Sequence, residues 1–387
     1  MGFHQLGEIM FRLSALFMTL LFWAYPVTAA GDRYWVYVGC YTDGPGQGIQ
    51  RFSFDASNGQ FSQAEVAAEL ASPSFLAIHP SGKYLYAVSE SGSGGTVHSY
   101  SIDQKTGALK VINVQPSEGN GPCHVNTDKT GKCLLVANYG SGSVACLGIA
   151  EDGSLQKSKS FHQHKGKSVH PTRQQAPHAH SVNVSIDNRF VVAADLGTDE
   201  LVVYELDAAS ATITPRPKAN GKMPPGSGPR HFTFDSEFGY KCFVCGELDS
   251  TISLFYFKPE DNRFELKMTL PTIARGDASK NSTAEILLHP SDNKWVLVSN
   301  RGTDNIAIFE TRSYDKFERG SSIESPDLKT PRNFCFEPKG RWILAAGQDS
   351  NQVVVFGWDK TGNAKNLPET IKVRKPVCIR FVSIEQN

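Results

Sequence analysis

The chain carries no surplus of charge of either sign: 39 Lys and Arg balance 39 Asp and Glu among 387 residues. Without a global field it has nothing to hold nucleic acid or an anionic membrane surface, so neither is an expected partner of the mature chain. An amphipathic helical pattern is absent throughout, which disfavours α/β folds. Also missing is an apolar run of the roughly 20 residues that a membrane-spanning helix needs. The run from Leu13 to Val27 is shorter and contains Pro26. It follows Arg12 and ends in Val27-Thr28-Ala29-Ala30, the pattern of a cleaved secretory signal. Residues 1–30 are therefore expected to be a signal peptide, and residues 31–387 an exported domain, periplasmic or secreted. Glu8 makes the stretch before Arg12 a poor positively charged region, so Met10 is a candidate start.

Export permits disulfides, yet the eight cysteines do not read as a disulfide framework. Most lie in apolar, strand-like runs of separate segments, where a buried thiol behaves as a small hydrophobe. Cys242 and Cys245 have CxxC spacing, but on a strand positions i and i+3 face opposite sides and cannot readily share a metal. Cys133 and Cys146 are the one pair that a hairpin could bring face to face.

What the sequence does contain is internal repetition. Residues 73–90, 122–139, 177–196, 229–247, 283–301 and 331–348 share one pattern. Each has an opening residue, usually proline, then a short apolar strand, a polar turn, and a second strand rich in Val, Leu, Ala and aromatics. A third strand follows, as in residues 96–102, 200–206 and 352–356, and a weaker edge strand usually completes the unit. Repeats of about 40 to 50 residues built only from short strands are the signature of β-propeller blades. Six blades are whole. Residues 376–381 read as a first strand without a successor, and residues 34–41 and 48–54 as second and third strands without a predecessor. Pairing these remnants makes a seventh blade and closes the ring, which removes exposed sheet edges. The expected fold is an all-β, seven-bladed propeller in one domain.

In a propeller the innermost strands line a central channel, so the starts of first strands and the ends of second strands are expected to gather at one mouth. The first group supplies His124, His178, His180, Arg230, His231, Glu285, Arg332 and Asn333; the second supplies Glu90, Tyr139, Glu247, Arg301 and Gln348. Arginine offers a planar fork to carboxylate or phosphate, and histidine beside glutamate can move a proton near neutral pH. Simpler roles apply to some of these. Arg332 and Glu90 lean towards cross-blade pairing, and His178 towards packing. His79 and His289, both in His-Pro turns, recur as part of the repeat. Pro177-His178-Ala179-His180 lacks a third ligand at fixed spacing, so no metal is expected. The Ser-rich stretch at residues 89–95 lacks a strand-to-helix elbow for a serine nucleophile.

Several segments together carry a family resemblance. Pro177-His178-Ala179-His180-Ser181-Val182, Gly228-Pro229-Arg230-His231-Phe232, Gly246-Glu247-Leu248-Asp249-Ser250-Thr251, Ser299-Asn300-Arg301-Gly302-Thr303-Asp304 and Pro331-Arg332-Asn333-Phe334 resemble the seven-bladed lactonase family. That family includes propeller-type 6-phosphogluconolactonases and fungal carboxymuconate-lactonizing enzymes, and the resemblance spans residues 34–381. It implies a catalytic set of His180, Arg230, Glu247 and Arg301. Gly246, Thr303 and Gly347 depart from the family pattern of Asn, His and Asn, changes expected to alter substrate fit while leaving the charged set intact.

The expected activity is hydrolysis of a sugar-acid lactone, of the 6-phosphogluconolactonase type, without metal or other cofactor. Arg230 and Arg301 would bind the anionic substrate and the developing oxyanion, and Glu247 or His180 would be the general base. His124, Glu285, Arg332, Asn333 and Gln348 are the expected substrate-binding residues. The partner implied is a small anionic lactone or organic acid. Two alternatives stand beside this: cyclisation of a muconate-like diacid, and a non-catalytic exported propeller that binds a ligand at the mouth.

Overall fold

The structure, a computed structural model, describes residues 31–91, 94–235, 240–258, 261, 263–274, 278–313 and 315–384. The expected signal peptide and Met10 lie outside the described residues. The described chain is all-β, with seven antiparallel sheets and two short 3-10 turns, Pro217–Ala219 and Ala278–Lys280.

Each sheet is one blade. The inner strands are Leu76–Ile78, Pro122–Thr127, Ala179–Val184, Pro229–Phe234, Ser282–His289, Pro331–Phe336 and Pro376–Ser383. Each packs against the inner strand of the next blade, and the last returns to the first, so the seven surround a central channel. Closure follows the expected route: Arg33–Cys40 pairs antiparallel with Pro376–Ser383, matching Tyr34 with Ser383 and Cys40 with Pro376. The two chain ends thus share one sheet.

Apolar residues fill the spaces between blades rather than one central core. Phe52, Val36 and Leu344 pack between the closing blade and its neighbour, while Val182, Leu135 and Tyr204 do so elsewhere in the ring. This explains the composition of the second and third strands, which lie between two sheets and are apolar on both faces. Outer strands such as Leu155–Gln163 alternate toward solvent instead.

The His-Pro turns staple one blade to the next. His79 Nε2 lies 3.0 Å from the Gly131 carbonyl and His289 Nε2 lies 2.9 Å from the Gly340 carbonyl. Both glycines have positive φ, at 71° and 78°. All eight cysteines are free thiols. Cys133 and Cys146 share one interblade core, where the hydrogen bond between them and burial push the Cys133 thiol up. Cys242 and Cys245 belong to different cores on opposite faces of their blade.

Candidate active site

One backbone irregularity decides where the polar residues of the inner strands point. Within its first two residues, an inner strand enters a bulge against the second strand, at Ala179/Ser181, Pro229/Phe232, Thr283/Ile286 and Pro331/Asn333. Pro122 and His124 pair with Asn138 and Ala137, leaving Cys123 extra in the same way. A bulge re-aims a side chain. Cys123, His180 and Arg332 turn to the mouth where the inner strands begin, while their neighbours His124, Asn333 and, in other blades, His231 and Glu285 point deeper.

The single mouth expected from the sequence is therefore two cavities. The upper one, of about 320 Å³, is lined by Glu90, Cys123, Tyr139, Arg173, His180, Glu247, Arg301 and Arg332. Its size falls in the range of small-molecule sites. Glu247, at the end of the strand Lys241–Gly246, is its organising group. Its Oε2 lies 2.9 Å from Arg230 Nε and 3.1 Å from Arg301 Nη2, and its Oε1 accepts a 2.7 Å hydrogen bond from Arg173 Nη2. His180 Nε2 stands 4.0 Å from the same Oε2. Arg230 also donates to the Ala284 carbonyl at 2.5 Å, and Arg301 to the Thr283 carbonyl at 2.8 Å. Those backbone bonds fix both guanidinium groups from behind.

The electrostatics follow from burial and charge. Burial alone would raise the Glu247 pKa, but Arg301, Arg230 and Arg173 together hold it at about 2. Burial, with the cation of Arg230 beside it, keeps His180 well below its ordinary 6.5, so the imidazole is neutral at neutral pH. Burial, reinforced by repulsion from Arg230, pushes Arg301 down to about 10 although Glu247 opposes this. Arg332 is half-buried over the Tyr41 ring, 5.2 Å from its centroid, and its guanidinium hydrogen-bonds to no described residue. Arg173, Arg230, Arg301 and Arg332 face only the carboxylates of Glu90 and Glu247, leaving a surplus of two positive charges.

Of the thirteen mouth candidates, His180, Arg230, Glu247, Arg301, Arg332, Glu90 and Tyr139 are brought together here. His178 supports them: it stacks on Tyr139 with centroids 4.5 Å apart, and its Nδ1 lies 2.9 Å from the Tyr139 carbonyl. His124, His231 and Glu285 line the second cavity, and Asn333 donates to Glu285 there. Gln348 lines neither cavity and donates to Asp349 at 3.1 Å.

Arg173 and Cys123 join the site without having been singled out in the sequence. Arg173 sits in the irregular segment between Leu155–Gln163 and Ala179–Val184, held by the buried Gln174, which donates to the Leu196 carbonyl at 2.9 Å. No repeat marks that segment. The three departures from the family pattern do not touch the upper cavity. A Cβ on Gly246 would lie 2.4 Å from Asp249 Oδ1, and one on Gly347 2.2 Å from Ser350 Oγ, so neighbouring side chains occupy the space. Thr303 Oγ1 donates to Asn281 at 3.0 Å on the rim.

Comparison with known proteins places these features in a family. Residues 35–381 match the family described as "Lactonase, 7-bladed beta-propeller". The 6-phosphogluconolactonase of Bacillus subtilis (strain 168) is 34% identical over 351 residues, covering 90% of this chain and 99% of its own. The 6-phosphogluconolactonase of Formosa agariphila is 33% identical over 347 residues, covering 87% and 96%. The structure of the Pseudomonas aeruginosa periplasmic gluconolactonase is similar with a TM-score of 0.84 at 31% identity, covering 91% of this chain and all of the other.

Proposed function

The chain belongs to the lactonase family of seven-bladed β-propellers, and on that footing we propose that it hydrolyses a sugar-acid lactone of the 6-phosphogluconolactone type at the upper cavity. The observation that carries this reading is the Glu247 cluster: one buried carboxylate orders three arginines beside a neutral histidine and leaves Arg332 uncommitted. Arg332, with Arg173 at the rim, takes the phosphate or carboxylate of the substrate, which the surplus of two positive charges favours.

Two groups compete for the role of base. Glu247, with its pKa near 2 and its oxygens engaged by guanidinium groups, is a weak proton acceptor. His180 is neutral with Nε2 on the cavity side near Glu247, so it takes the proton. Water loses a proton to His180 as its oxygen bonds to the lactone carbonyl carbon. Arg301 stabilises the oxyanion, and Glu247 steadies the imidazolium. The ring C–O bond then breaks, and His180 returns the proton to the departing alkoxide. Export of the mature chain through the leader at residues 1–30 belongs to the same proposal.

The test is acid release from 6-phosphogluconolactone and from gluconolactone, corrected for spontaneous opening, beside lactone formation from a carboxymuconate. Release above background from either lactone supports the reading. Lactone formation alone would replace it with cyclisation, and neither reaction would replace it with a binding role.

A further inference from the structure

The second cavity lies at the opposite end of the channel, has a volume of about 750 Å³, and receives residues from all seven blades. Nothing in the proposed reaction uses it. A layer of rings stands where the two cavities meet: the His231 ring is 5.3 Å from His180 on one side and 5.3 Å from His124 on the other, and His124 packs 4.1 Å from Phe75.

Its polar groups are unevenly satisfied. Glu285 is fully engaged: Oε1 lies 2.9 Å from His231 Nδ1 and accepts from the Ile286 amide at 3.0 Å, while Oε2 accepts from Asn333. Arg380 is not engaged in the same way. It is half-buried, its guanidinium covers the Phe75 ring at 4.6 Å, and Nη1 donates to the Ile379 carbonyl at 2.7 Å. Its Nε and Nη2 donate to no described residue, and no described carboxylate lies within ion-pair distance. His231 Nε2, on a residue only 4% exposed, also has no partner. A half-buried cation whose counter-charge, Glu285, lies beyond ion-pair distance, and an orphaned buried nitrogen, both gain from a ligand that completes them. Part of the remaining wall is apolar, with Ile78, Phe232, Ile286 and Phe381 on it, while Asn126, Thr127, Asp128, Lys129, Asn183 and Thr233 line the rest.

We propose that this cavity is a second binding site, for a small monocarboxylate with a hydrophobic body: the carboxylate on Arg380 Nε and Nη2, the hydrocarbon against Phe75 and the apolar wall. Stacking on Phe75 occupies the face of the guanidinium and leaves edge donors for the carboxylate. One charge is the limit, because Glu285 stands in the same cavity. The upper cavity, with its surplus of two positive charges and few apolar walls, selects the opposite kind of ligand.

Calorimetric titration of the purified chain with phenylacetate, beside its uncharged analogue 2-phenylethanol, tests this. The expected result is saturable binding of phenylacetate at one site, at least tenfold tighter than 2-phenylethanol, weakened at least tenfold by Arg380→Gln and unchanged by Arg332→Ala. Lactone turnover in Arg380→Gln should stay at the wild-type level, so failure of the proposed lactonase reading leaves this test standing. Thr233→Trp, which fills the cavity while keeping Arg380, should also abolish binding and decides the matter if Arg380→Gln does not fold. Absence of saturable binding, equal binding by Thr233→Trp, or loss in Arg332→Ala alone would overturn the proposal.

Discussion

Arg173 and Glu247 stand 74 positions apart in the chain and meet at 2.7 Å over the mouth of the channel. The contact ties a segment outside the repeat to the carboxylate that orders Arg230 and Arg301. Arg173 is itself 40% exposed at the side chain, so the pair adds little to stability, about 1 kcal/mol or less. Its expected value is to substrate binding. Arg173→Ala should raise KM for an anionic lactone roughly tenfold, the loss of one charge-assisted hydrogen bond, with a smaller change in kcat. Steady-state kinetics would show this; a fall in kcat at unchanged KM would contradict the role.

Removing the carboxylate itself has a different consequence. Glu247→Gln leaves Arg230 buried without its counter-charge, the kind of change that costs about 3–5 kcal/mol. A urea unfolding series should show the midpoint falling well below that of Arg173→Ala. Equal midpoints would mean that Glu247 is not the organising group.

The buried histidines set an acid limit on stability. Burial lowers the pKa of His180, His124 and His231 below 6.5, so the folded state binds fewer protons than the unfolded state as pH falls. Their contribution is present above 6.5 and lost progressively below it. Glu247 adds a second loss, beginning near its ordinary 4.5 and running down to about 2. Urea midpoints should therefore fall between pH 7 and 5 and fall again below 4.5; a midpoint that holds or rises from pH 7 to 5 would contradict the neutral burial of these rings.

The staple between blades makes one glycine irreplaceable. Gly131 has φ of 71°, and a Cβ there would lie 2.1 Å from His79 Nε2. Gly131→Ala combines left-handed strain with displacement of the histidine and should cost about 1–3 kcal/mol. Thermal denaturation would reveal it, and an unchanged melting temperature would show that the turn relaxes freely.

Much of this was legible in the residues. The blades could be read because each repeats its turn chemistry, and closure because residues 376–381 and 34–41 were strands without partners. His180, Arg230, Glu247 and Arg301 could be placed at a mouth because strand ends locate them. The division into two cavities could not be read, since it depends on bulges such as Pro229/Phe232, which pair two residues against one and separate Arg230 from His231. No side-chain pattern distinguishes that register from a regular one. Arg173 was hidden for a different reason: an irregular segment has no periodicity from which to infer where a side chain points.

Whether lactone chemistry occurs at the Glu247 cluster is tested by kcat/KM for 6-phosphogluconolactone in Arg301→Ala beside wild type, corrected for spontaneous opening. Arg301 is held from behind by the Thr283 carbonyl and turned toward Glu247, where the oxyanion would form. A fall of about 100-fold or more is expected, with the fold intact by circular dichroism. Wild-type turnover in a folded Arg301→Ala would contradict it.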